Sequence, residues 1–170
     1  MLARSDTIIK WILYALAGIV WAIVQTAILQ RFTIWGVIPF LYPLIAAIPA
    51  TFEGASAGTV YALAIGVFCD LLLPSPIPCF YTLIFPLVGL TAGLLSQSLI
   101  PAGYLCSAAA AVPAFLLTGV FHCIVLWATG HAAWTAGMSV TLRELCVSLL
   151  WSLPMTWLFR RIFLRVHIDD

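Results

Sequence analysis

The chain has 170 residues, of which 64% are hydrophobic and 8% charged, and its mean hydropathy is +1.15. A soluble domain carries about 25% charged residues, so a water-soluble fold is excluded and the chain belongs in a bilayer. Seven Lys and Arg balance six Asp and Glu, and with no basic tract there is no case for a nucleic-acid partner.

The predicted elements are six helices, at about 9–29, 36–52, 54–73, 80–97, 104–129 and 141–159. The gaps between charges set them. Twenty uncharged residues separate Lys10 from Arg31, 21 separate Arg31 from Glu53, 72 separate Asp70 from Arg143, and 15 separate Glu144 from Arg160. A spanning helix needs about 20 apolar residues. The fold class expected is therefore all-α: a polytopic membrane protein, a six-transmembrane-helix bundle, with residues 1–170 forming a single integral membrane domain.

The first helix follows Arg4 and Lys10. Only four residues separate Lys10 from the small-x-small triplet at Ala15–Ala17, too few for the apolar core of a cleaved signal, so it reads as an uncleaved span. The second contains Pro39, Pro43 and Pro49 and should be kinked or broken. After the third, Pro74 to Pro78 (PSPIP) forms a rigid loop. The fifth carries Pro113, and residues 130–137 form a loop. With six spans the termini share a side. Placing that side in the cytoplasm puts Arg4, Lys10, Arg160, Arg161 and Arg165 inside and only Arg31 and Arg143 outside, as the positive-inside rule prefers. Trp35, Trp127, Trp134 and Trp157 fall near span ends, where amphipathic rings prefer to sit. The expected location is the bacterial cytoplasmic (inner) membrane.

The third span, TFEGASAGTVYALAIGVFCDLL, holds two of the six acids. Small residues recur every four positions, at Gly54, Gly58, Ala62 and Gly66, and Asp70 continues the row. Such rows let backbones approach where lipid supplies no hydrophobic drive. Gly89 and Gly93 repeat the device in span four, and Gly18, Ala22 and Thr26 in span one; Ser148, Ser152 and Thr156 are a weakly polar version in span six. Glu53 is expected at the N-terminus of the third helix, where the dipole favours an anion. Asp70, costly inside lipid at about 3 kcal/mol, needs a partner. Arg31 and Arg143 are the two bases on its side, Arg143 slightly favoured.

No catalytic, metal or cofactor site is expected. His122 and Cys123 diverge by about 100° on a helix, so they do not face one site. Ser96, Ser98 and Ser107 lack a GxSxG context. The five cysteines read as small buried hydrophobes. Arg160, Arg161 and Arg165 read as a topology anchor with affinity for anionic membrane lipid.

Residues Gln25-Thr26, Glu53-Gly54, Gly58, Gly66-xxx-Asp70-Leu71-Leu72, Ser75-Pro76, Tyr81 and Gly89-xxx-Gly93 together resemble the MreD family of rod shape-determining membrane proteins. The resemblance covers about residues 20–97. It departs from the family where Pro78 stands in the place of a loop Gly. It implies a non-catalytic subunit of the cell-elongation machinery (elongasome) that supports peptidoglycan synthesis for the cell wall and so cell shape. The subunit would bind an MreC-like protein through transmembrane helices and work indirectly with RodA, a class B penicillin-binding protein and MreB. In that reading Gly54, Gly58, Gly66, Asp70, Gly89 and Gly93 are candidates for partner binding or for packing within the bundle, with packing favoured. Glu53, Arg31 and Arg143 are structural charges. MreD-like proteins share their size and span count with the S components of energy-coupling-factor vitamin transporters, which gives a second expectation: a substrate-binding subunit with Asp70, Tyr81, the PSPIP loop, Trp134 and Arg143 around a vitamin.

Overall fold

The computed structural model describes residues 4–74, 77–130 and 134–167, with side chains described for 7–74, 77–130 and 134–165. Ser75 and Pro76 of the expected rigid loop, His131, and the side chain of Arg4 lie outside the described residues. Among those described, the chain forms six α-helices: α1 (Arg4–Ala27), α2 (Tyr42–Glu53), α3 (Ala55–Leu72), α4 (Phe80–Ser98), α5 (Tyr104–Ala128) and α6 (Trp134–His167). A short 3-10 turn, Leu29–Arg31, follows α1. Four stretches are long and apolar enough to cross a membrane: Thr7–Arg31, Ala55–Leu72, Phe80–Ser98 and Tyr104–Ala128. The chain is thus a membrane-embedded helical protein.

The second and sixth elements differ from expectation. Helix α2 has 12 residues, about 18 Å at 1.5 Å per residue, well short of a hydrocarbon core about 30 Å thick. Residues 36–41 are not helical. Pro39 and Pro43 delay the start, because proline withholds an amide and forces its predecessor toward extended backbone. Before them, Trp35 and Gly36 both have positive φ (55° and 77°) in a tight turn closed by two hydrogen bonds between Ile34 and Val37. Positive φ at both central residues is the pattern of a type I′ turn. Helix α6 has 34 residues, about 51 Å, so it begins inside the expected 130–137 loop and continues past the expected end at residue 159.

Helix α2 is the centre of the bundle. Every residue from Tyr42 to Thr51 is buried, packed among α3, α4, α5 and α6. Backbone polar groups buried at the entry to this helix need partners, and side chains from other helices supply them. Gln25 of α1 donates from Nε2 to Pro39 O (2.7 Å) and accepts at Oε1 from Leu41 N (2.9 Å). Ser148 Oγ accepts from Phe40 N (3.0 Å). Two side chains from the first and last helices thereby pair the entry to the central one.

The helices alternate in direction. One end of the bundle gathers Lys10, Glu53, Ser96, Tyr104 and Arg160: Ser96 Oγ donates to Thr51 O (2.6 Å), and the Arg160 guanidinium lies 5.6 Å from the Tyr104 ring. The opposite end gathers the 32–41 segment, Asp70, the start of α4 and Glu144. Tyr14 of α1 meets Phe159 of α6 at 5.9 Å, so the N-terminal part of α1 and the C-terminal part of α6 share the first end. Of the cysteines, Cys69, Cys106 and Cys123 are buried, but Cys79 and Cys146 are exposed, which corrects the expectation that all five are buried.

Candidate functional site

The glycine rows are spent inside the molecule. A Cβ on Gly58 would collide with Ala50 of α2; on Gly89 it would lie 2.6 Å from Ala62 Cβ and 2.8 Å from Gly58 O; on Gly93 it would lie 2.5 Å from Ala55 Cα. A Cβ on Gly66 would lie 2.7 Å from Tyr81 O and 3.0 Å from Thr82 Cα. Together they form one seam between α3 and its neighbours α2 and α4, where backbones touch.

Asp70 completes that seam, and not through an arginine. Its Oδ1 accepts from Tyr81 N (3.0 Å). Its Oδ2 accepts from Thr82 N (2.8 Å) and Thr82 Oγ1 (2.6 Å). These amides lie in the first turn of α4, where helices leave donors unpaired and the dipole is positive. The residue before α4, Cys79, has φ +61° and makes no capping bond of its own. Asp70 therefore caps α4 from the neighbouring helix. Arg31 and Arg143 are exposed, and among the described residues Asp70 has no ion pair, which corrects the expected Asp70–arginine contact. The four-residue spacing from Gly66 to Asp70 also gains a reason. Gly66 admits the α4 backbone at Tyr81 and Thr82, and one turn later Asp70 binds the same two residues.

Glu53 also sits elsewhere than expected. It ends α2 rather than starting α3, because Gly54 (φ +85°, ψ 178°) occupies a backbone region open in practice to glycine alone and breaks the helix there. At the negative end of the α2 dipole a carboxylate is disfavoured, and Lys10 answers it. Lys10 Nζ donates to Glu53 Oε2 (2.7 Å), with both side chains over nine-tenths buried. Tyr14 Oη donates to Glu53 Oε1 (2.9 Å), and Tyr61 Oη donates to Tyr14 O (3.2 Å). The cluster ties α1, α2 and α3 together, and Lys10 was legible in the sequence only as an orienting charge.

Two concave surfaces among the described residues bear on function. A groove of about 490 Å³ runs along α1 and α3, lined by Trp11, Ala15, Gly18, Val60, Tyr61 and Ala64 among others. A cleft of about 330 Å³ opens between α5 and α6 at the Asp70 end, walled by Phe40, Tyr81 and Phe115 and holding His122 and Glu144. His122 packs edge-on against Phe80 (5.7 Å). Of the residues named for a vitamin site, Tyr81 lines this cleft, Asp70 is committed to α4, and Arg143 and Trp134 are exposed. Glu144 was missed; its signal was an acid at the fourth residue of the sixth span. No three His, Cys, Asp or Glu among the described residues are placed to hold a metal. Compared with known proteins, the chain matches no family model, and no curated protein or solved structure matches it significantly.

Proposed function

We propose that the protein is a non-catalytic, multi-pass membrane subunit of the MreD kind, which holds the transmembrane helix of an MreC-like protein and through it supports the peptidoglycan-synthesising elongation complex. The observation that carries this reading is the unity of the residues that resemble the family. Gln25, Glu53, Gly54, Gly58, Gly66, Asp70, Gly89 and Gly93 all lie on one connected framework around α2. A pattern that specifies a single architecture is what a shared scaffold fold requires, and a catalytic constellation is not needed to account for it.

In this reading the chain crosses the inner membrane six times. Helices α1 and α3 run in the same direction, so residues 36–53 make the return crossing, first as the irregular chain 36–41 and then as α2. The first end of the bundle, carrying Lys10, Arg160, Arg161 and Arg165, faces the cytoplasm, following the excess of positive charge there. Because the glycine seam is filled, the partner helix takes the α1/α3 groove. Ala15, Ala64 and Val60 are exposed there, and small residues on adjacent helices let a third backbone approach.

Filling the groove tests this. Ala15→Leu combined with Ala64→Leu should leave the protein folded and inserted and abolish co-purification of the MreC-like protein expressed beside it. Undiminished co-purification would contradict the proposed surface. Failure of the unaltered protein to retain any MreC-like partner would contradict the function.

A further inference from the structure

We infer that the cleft between α5 and α6 is a binding site for a small organic cation, an ammonium group on a compact apolar body, with Glu144 as its counter-ion. This goes beyond the scaffold reading and does not depend on it.

Three observations carry it. First, Glu144 lies on an apolar helix face and makes no hydrogen bond or ion pair among the described residues. Every other acid whose side chain is described is paired: Glu53 with Lys10 and Asp70 with the start of α4. Acids within membrane segments are retained where they meet a partner, and Glu144 has a cavity in front of it instead. Second, the cleft wall contains Phe40, Tyr81 and Phe115, and among the described residues no Lys or Arg lines it. Aromatic faces and a lone carboxylate together attract a cation and repel an anion. The volume, about 330 Å³, falls in the range of small-molecule sites, about 300–1,000 Å³. Third, a second cavity of about 340 Å³ shares Phe40 and Glu144 with the first and is also lined by Gln30 and Tyr42. Tyr42 is 1% exposed, and its buried hydroxyl has no partner among the described residues. A buried hydroxyl without a partner is uncommon in a finished core, and here it borders the same acid.

The ammonium could be carried by a soluble amine or by an ethanolamine lipid headgroup, and the two are separable. The purified protein is unfolded by heat in detergent, with tryptophan fluorescence as readout and phenethylamine, 2-phenylethanol or 3-phenylpropionate added. It is also unfolded in nanodiscs of phosphatidylethanolamine or phosphatidylglycerol. A rise in unfolding temperature with phenethylamine that its neutral and anionic relatives do not produce identifies a soluble amine. A rise specific to phosphatidylethanolamine identifies the headgroup. Either rise should vanish in Glu144→Gln. Ala136→Phe, an exposed position on the cleft rim, should remove it too and keeps the test decisive if Glu144→Gln fails to fold. Equal rises with all probes, no rise with any, or a rise unchanged in a folded variant would overturn the site.

Discussion

At Asp70, one carboxylate on α3 holds the first turn of α4 through Tyr81 N, Thr82 N and Thr82 Oγ1. The demand for a partner was legible, since a carboxylate cannot sit unpaired beside Cys69 and Leu71 in lipid. The partner was not, because a sequence displays charged side chains and hides backbone donors. The first turn of α4 offers two amides and a hydroxyl at 2.6–3.0 Å; either arginine could offer only one flexible head. Asp70→Ala strands those donors and should lower stability by about 3 kcal/mol. Asp70→Asn retains an acceptor and should lose about half as much, with thermal unfolding in detergent as the measurement. Equal stability of wild type and Asp70→Ala would remove the cap from the account. The same reasoning applies to the Lys10–Glu53 pair. Breaking a buried pair from one side costs about 3–5 kcal/mol, so Lys10→Met and Glu53→Gln should each destabilise strongly. The double variant should lose clearly less than their sum, and strict additivity in the same unfolding assay would show that the two groups do not interact.

At the scale of elements, α3, α4 and α5 were legible because each is an unbroken apolar run between Pro- or Gly-rich breaks. Helix α2 was not. Its prolines blur where it begins, and the conformation of Gly54, which decides that Glu53 ends one helix rather than starting the next, cannot be seen in residue types. Helix α6 extends beyond its apolar run at both ends, where Gly137 near its start and the arginines near its finish both resemble loop or flank residues. The seam of small residues was legible from its four-residue spacing. Substitution at Gly66 tests the seam. Gly66→Val pushes a side chain into the Tyr81–Thr82 backbone and should cost about 1–3 kcal/mol. Gly103→Ala, where the nearest atom is 3.9 Å away, should change stability by less than about 0.5 kcal/mol. Gln25→Leu leaves Pro39 O and Leu41 N unpaired in the centre of the bundle and should cost about 3 kcal/mol. If it were neutral, the entry to α2 would not depend on α1.

For the whole molecule, composition alone gave the bilayer and the helical class. It could not show that the third and fourth helices wrap a short, buried one, nor that the α1/α3 groove is lined by none of the residues that resemble a known family. On the proposed function, the family-like residues build the bundle, and recognition would fall to the α1/α3 groove. In-membrane photo-crosslinking tests this most directly. A photoreactive amino acid is placed in turn at Ile19 and Ala64 in the groove, and at Leu83 and Leu105, which are 70% and 81% exposed on α4 and α5, in cells that also make the MreC-like protein. The account predicts adducts with that protein from Ile19 and Ala64 and none from Leu83 and Leu105; adducts from the α4 and α5 positions with none from the groove would contradict it.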